Sequence, residues 1–185
     1  MSKSLQENNK NMTQDLKNLN VAICGCTINS ESYIKKHIEN LYELHNIFKS
    51  VEIVIYENDS VDNTKSVLNK LQHEKKITLI SQNNVSDQLK LRTIILAHAR
   101  NSLVQYVNNN NTFDYMIMVD MDTILINSIT NSIVNAFQNN ISEWDVLTGN
   151  CKNLYYDIWA LRINKKQFTD THKKIWNDNV LQYTS

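Results

Sequence analysis

Four short runs of β-branched and apolar residues recur along the chain, and helical patterns fill the intervals between them. That alternation limits the possible folds more than any other feature. The runs are Asn20 to Thr27 (NVAICGCT), Val51 to Tyr56 (VEIVIY), Ile77 to Ile80 and Tyr115 to Val119 (YMIMV). Runs this short and this apolar suit strands covered on both faces. After the first run, Tyr33, Ile34, Ile38, Leu41, Tyr42 and Leu44 recur at helical spacing, with Ser30 placed to cap. After the second, Asp62, Asn63 or Thr64 can cap a helix through Val67, Leu68 and Leu71. Leu89 to Val107 reads as one long helix, and Ile129 to Phe137 as a short one. Asp145 to Thr148 and Ile158 to Leu161 read as later strands.

Strand and helix in alternation predict an α/β fold, with a mostly parallel central sheet and helices on both faces. Residues 1–18 are polar and are expected to form a flexible lead-in. Residues 19–185 are expected to form a single domain, long enough to bury a substantial core. Ligands of such sheets sit beyond the carboxyl ends of the strands, so functional residues should follow strands.

Lys plus Arg total 19 and Asp plus Glu total 19, so bulk charge gives no reason to expect a nucleic-acid partner. No apolar run approaches the roughly 20 residues of a membrane span, and no signal peptide is recognisable, so the chain reads as cytoplasmic. Three Cys argue against a disulfide framework. Cys24 and Cys26 share one face of a strand and read as small buried hydrophobes. Pro is absent and Gly occurs only twice, while Asn is abundant. The Asn runs carry no functional message, although Asn can occupy left-handed turn positions usually given to Gly.

Four segments carry candidate chemistry. The first, Val119-Asp120-Met121-Asp122, directly follows an apolar strand. Residues two apart in an extended segment point the same way, so Asp120 and Asp122 can present two carboxylates to one point. Hard oxygen donors suit Mg²⁺ or Mn²⁺, with phosphate oxygens completing the shell. A solvated turn is the plain structural alternative. The second segment, Tyr56 to Thr64 (YENDSVDNT), is a polar, acidic loop after the second strand. Glu57 and Asp59 can accept hydrogen bonds from a ribose or a base, whereas Asp62, Asn63 and Thr64 suit capping.

The third segment is His98-Ala99-Arg100-Asn101, preceded by Arg92. Arg92 and Arg100 lie about two helical turns apart and can pair with a diphosphate, or equally form an ion pair that fixes the helix. His98 reads as packed or surface, not as a base. The fourth runs from Thr148-Gly149-Asn150 to Tyr155-Tyr156-Asp157-Ile158-Trp159-Ala160-Leu161-Arg162. Tyr155 and Trp159 flank Asp157, and rings around a carboxylate suit sugar binding, with an aromatic core edge as the alternative.

Taken in order, YENDSVDNT, LAHARN, DYMIMVDMD and YYDIWALR resemble nucleotide-sugar glycosyltransferases of the GT-A fold. The last block is similar in particular to the cryptococcal α-1,3-mannosyltransferase and capsule-associated group. The resemblance runs from about Val21 to Arg162. It implies that Thr27 and Glu57 hold the nucleotide of a UDP- or GDP-linked sugar, and that Asp120 and Asp122 bind Mn²⁺ or Mg²⁺ bridging its diphosphate. It further implies that Asp157 lies near the donor sugar or the acceptor, a glycan or protein, where it is the first carboxylate to name as a base. Such domains continue into an acceptor-binding region with a further metal ligand, so the part ending at Ser185 is expected to be either one part of a larger protein or a reduced version with lost activity, with His172 as the candidate for that ligand.

The function expected is therefore a metal-dependent glycosyltransferase of hexosyltransferase type. Two alternatives stand beside it: a non-catalytic binding domain on the same fold, and a sugar nucleotidyltransferase. The second would need a Gly-rich loop where this chain reads CGCTINSES.

Overall fold

The computed structural model describes residues 16–121 and 130–138. All of them lie in one compact unit, Met1–Ile141; a second unit, Ser142–Ser185, lies outside the described residues. Strands β1 (Asn20–Thr27), β2 (Ser50–Asn58), β3 (Thr78–Gln82) and β4 (Tyr115–Asp120) form one sheet in the order β3-β2-β1-β4. Every pairing is parallel. Helices α1 (Ile34–Tyr42), α2 (Thr64–His73), α3 (Val85–Leu89), α4 (Arg92–Asn110) and α5 (Thr130–Gln138) fall between or after them. A 3-10 turn, Glu43–Asn46, extends α1. The α/β architecture expected from the alternation is present. The expected strands at 145–148 and 158–161 lie outside the described residues.

The two central strands are apolar on both faces because both are covered. On one face Ala22 and Cys24 of β1 and Val54 and Tyr56 of β2 pack against Ala99 and Leu103 of α4. Alternation turns Val21, Ile23, Ile53 and Ile55 to the other face, and these are 0–1% exposed. Their side of the sheet receives α1 and α2, whose buried residues are Ile34, Ile38 and Leu41, and Leu68 and Leu71. Phe137 of α5 meets Phe48 and Tyr115 edge-on, with ring centroids 5.2 and 5.1 Å away. Cys24 is buried in the α4 face and Cys26 packs beside it, as small hydrophobes do. Among the described residues no helix is long and apolar enough to cross a membrane.

Two local expectations need correction. The single helix over Leu89 to Val107 is two elements. Lys90 takes φ 58°, ψ −41°, and Leu91 is extended, so α3 ends at Leu89 and α4 starts at Arg92. The apolar pattern runs straight through this break, so periodicity could not show it. Ser30 does not cap α1 with its hydroxyl. Its carbonyl accepts from Tyr33 and Ile34, while its Oγ lies 2.5 Å from Thr27 Oγ1. Among the described residues, six non-Gly residues occupy left-handed positions and no Gly does, and Asn29, Asn84 and Asn111 take half of them beside Asp59, Lys75 and Lys90. Asn and Asp tolerate this region best because their short side chains bond locally.

Candidate functional site

Parallel pairing brings all four strands to one carboxyl edge, and the register fixes which residues meet there. Thr27 stands opposite Glu57, and Glu57 opposite Ser81. Cys26 stands between Tyr56 on one side and Asp120 on the other. Asp120 and Glu57 therefore end neighbouring positions of one edge, about two strand spacings, or roughly 10 Å, apart. Pleating places them on different faces. Tyr56, Cys26 and Asp120 point to the α4 side, and Thr27 and Glu57 to the α1 side.

On the α4 side, Arg100 donates from Nη2 to Oδ1 of Asp120 at 3.1 Å. Both side chains remain open, 49% and 72% exposed. Cys26 lies close enough to feel both charges, but burial dominates and pushes its thiol up to about 11. Asp120 offers one hard, accessible carboxylate at a strand end, the donor type Mg²⁺ and Mn²⁺ prefer. Among the described residues no group of three or more His, Cys, Asp and Glu side chains is placed to hold a metal. Asp122 lies outside the described residues, as do Tyr155, Asp157 and Trp159. Arg92 is the exposed first residue of α4. Eight residues before Arg100, it stands about 12 Å further along the helix axis.

Beside this row, at the end of β3, lies an open cleft of about 430 Å³, lined by Gln82, Asn83, Val85, Gln88, Leu89 and His98. Gln82 Oε1 accepts from the Tyr56 hydroxyl at 2.8 Å and lies 2.8 Å from His98 Nε2. The Tyr56 and His98 rings meet edge-on at 6.1 Å. Burial pushes the Tyr56 hydroxyl up to about 12, so it remains a donor. Three amide side chains around an open, partly apolar cleft offer paired donors and acceptors to a flat polar ring. Sequence reasoning passed over this group. The one available signal was positional: Gln82 closes β3 and Asn83 follows it, as Glu57 and Asn58 close β2.

The acidic residues at and after the end of β2 are committed to the chain itself. Glu57 is fully buried; its Oε1 accepts from the Ser60 N–H at 3.0 Å and its Oε2 from the Ser81 hydroxyl at 2.6 Å. Asp59, at φ 55°, accepts from the Ser86 N–H at 2.7 Å and from Asn58 Nδ2 at 3.1 Å, tying the β2 loop to α3. Desolvation pulls the Asp59 carboxyl upward, but bonds from Ser86, Asn58 and Asn84 outweigh it and hold it at about 2. Asp62 accepts from Thr64 N–H and Glu31 N–H.

Glu31 in turn accepts from both the backbone and the side chain of Asn63. Asn29 donates from its backbone to Ser60 Oγ and accepts from Val61 N–H, and Ser30 N–H donates to Thr64 Oγ1. The β1 and β2 loops are thus stitched together from both sides. Of the expected caps at 62–64, only Asp62 serves the start of α2, by accepting from the Thr64 N–H; Asn63 makes no side-chain cap bond, and the side chains of Asn63 and Thr64 bond Glu31 and Ser30 instead. Glu31, Asn29 and Ser30 are the participants the sequence did not reveal, because their partners lie more than thirty residues away.

A family model described as "Glycosyl transferase family 2" matches residues 22–142, well over half the chain. Among solved structures, the chain is similar to S. aureus TarS, to its residues 1–349, and to that portion in complex with UDP. Each comparison has 20% identity and a TM-score of 0.36 over 56% of this chain. The match spans 17% of the first of those chains and 28% of the other two. Among curated proteins no match is found.

Proposed function

The chain belongs to glycosyl transferase family 2, and from that premise we propose that it binds a nucleoside diphosphate sugar along the α4 side of the carboxyl edge and transfers the sugar to a hydroxyl acceptor. The observation that carries this is the row Tyr56, Cys26, Asp120, with Gln82, two residues beyond the row on β3, accepting from the Tyr56 hydroxyl. It joins an amide-lined cleft at β3 to an accessible carboxylate at β4. Three strand spacings across the sheet and two residues along it, about 16 Å in all, separate Gln82 from Asp120, a distance suited to a base at one end and a diphosphate at the other.

In this proposal Gln82, Asn83 and Gln88 bond the edge of the base. Arg92 and Arg100 offer guanidinium groups to the diphosphate, a bidentate partner they fit well. Asp120, joined by Asp122, would hold Mn²⁺ or Mg²⁺. When bound, that cation neutralises charge on the departing nucleoside diphosphate. Arg100 holds Asp120 in place beforehand through a bond weak enough to exchange. Glu57 and Asp59, with their oxygens committed to the chain, shape the loop that meets the nucleotide, and Thr27 anchors the β1 turn through Ser30. Asp157 remains the candidate base towards an incoming glycan or protein hydroxyl, with Tyr155 and Trp159 against the sugar. These three roles rest on the sequence alone. So do the grouping with the cryptococcal mannosyltransferase-like enzymes, the hexosyl character of the donor and the extent of the domain, residues 19–185.

Calorimetry with UDP and with GDP, with and without Mn²⁺, tests the proposal, followed by a hydrolysis screen of UDP- and GDP-linked sugars. We expect metal-dependent heat with one of the two nucleotides and turnover of sugars linked to it. No metal-dependent heat with either would leave a domain that keeps the fold without the activity.

A further inference from the structure

Gly25 is a glycine for reasons of space. It lies inside β1, paired with Val119 of β4 and Ile55 of β2, and its backbone is not in the left-handed region. A glycine within a strand weakens it, so a close approach by something else is the usual reason for one. Here the approach is made by Met121. A methyl group added at Gly25 would run into Cγ of Met121 and would lie 2.8 Å from its Sδ and 3.4 Å from the Val119 carbonyl oxygen. Met121 is 4% exposed, although its neighbour Asp120 has a side chain 72% exposed. Methionine is well suited to fill such an irregular gap.

The place of this contact gives it meaning. Cys26 with Asp120 is the last pair between β1 and β4. Met121, the next residue, has no ladder partner, yet it still turns back over β1 on the face opposite Asp120. We infer that Gly25 and Met121 form a seat that positions the segment carrying Asp120, and thereby sets the geometry in which its carboxylate is offered to a cation. Both are positioning residues. The inference rests on the metal role given to Asp120 above.

Three variants test it: Gly25→Ala, Met121→Ala and the double variant. The readouts are Mn²⁺-dependent affinity for UDP or GDP, whichever nucleotide the parent binds, affinity for the same nucleotide in EDTA, and melting temperature. We expect Gly25→Ala to weaken the Mn²⁺-dependent affinity by about 10- to 100-fold, the range seen when support behind a metal ligand is lost. Affinity in EDTA should stay within about twofold of the parent. Met121→Ala should weaken the metal-dependent affinity less, and the double variant should match Met121→Ala, because the added methyl then meets no side chain.

Unchanged Mn²⁺ affinity in Gly25→Ala, or an equal fall with and without metal, overturns the inference. If Gly25→Ala does not fold, Met121→Ala decides: metal affinity equal to the parent's overturns it. A parent that shows no Mn²⁺-dependent heat defeats the metal role of Asp120 itself and the inference with it. A parent with that heat, beside variants that keep it, defeats the seat alone.

Discussion

Arg100 reaches across from α4 to the end of β4, where its Nη2 lies 3.1 Å from Oδ1 of Asp120, with both side chains facing water. An ion pair this open is worth between zero and about 1 kcal/mol. Arg100→Ala and Asp120→Asn should therefore each change the unfolding free energy by less than about 1 kcal/mol. Asp120→Asn should remove the Mn²⁺ dependence of nucleotide binding. Urea unfolding and calorimetry on the same preparations separate the two effects. A large loss of stability in Asp120→Asn would make this carboxylate structural.

Glu57 is expected to behave in the opposite way. Its buried oxygens satisfy Ser60 N–H and Ser81 O–H. Glu57→Ala should cost about 1–3 kcal/mol, the usual penalty for stranding such partners, and Glu57→Gln should cost less because one acceptor oxygen remains. The unfolding midpoint in urea reports this directly. An unshifted midpoint in Glu57→Ala would mean the loop is held by its other bonds alone.

Acid should expose the role of Asp59. Its carboxyl is held at about 2 in the fold, because the bonds from Ser86, Asn58 and Asn84 outweigh desolvation. Unfolded, an Asp titrates near 3.9. A group that releases its proton more readily when folded stabilises the fold above the unfolded value. That contribution drains away as pH falls from about 4 to about 2. The parent should therefore lose melting temperature across this window more steeply than Asp59→Asn, which carries no such charge. Parallel curves for the two proteins would defeat the assignment.

Gln82→Leu removes the oxygen shared by Tyr56 and His98. Losing one to two hydrogen bonds at the cleft should lower affinity for the bound nucleotide by about tenfold, while the ratio of affinities with and without Mn²⁺ stays the same. Titration calorimetry gives both values. A variant with full affinity would move the base out of this cleft.

The thiols offer an independent check on the sheet. Burial raises Cys24 to about 12 and Cys26 to about 11. In native protein at pH 8, alkylation at both should be slower than in urea by at least about tenfold, since the thiolate is the reacting form. Peptide mass spectrometry after timed labelling measures it. Rapid labelling of Cys24 without denaturant would contradict its place under α4.

Much of the framework was legible because it rests on local patterns. β1 spans the run expected, and β2, β3 and β4 differ from their runs only by a few residues at the ends. The break at Lys90 was hidden, because Leu89, Leu91 and Ile95 keep a helical rhythm while the backbone leaves it. The edge itself was legible from strand ends, so Glu57 and Asp120 fall where ligands are expected. Their environments were not. Whether a carboxylate faces water or is spent on Ser60 and Ser81 depends on partners three to twenty-four residues away and on which face of the pleat it occupies. Gly25 illustrates the same limit: the sequence shows a glycine in a strand, and only the fold shows Met121 lying over it.

The stitching between the β1 and β2 loops has a practical consequence for chimeras. Asn29 with Ser60 and Val61, Ser30 with Thr64, and Glu31 with Asp62 and Asn63 join two segments that are thirty residues apart in the chain but form one stitched unit, with Ser30 and Thr64 buried inside it. An exchange that imports only one of them would bring a loop whose anchoring points were left in its parent. The transplantable unit is residues 27–31 together with 57–64, moved as a pair with α1 and the part of β2 before residue 57 kept as the hinge of the graft.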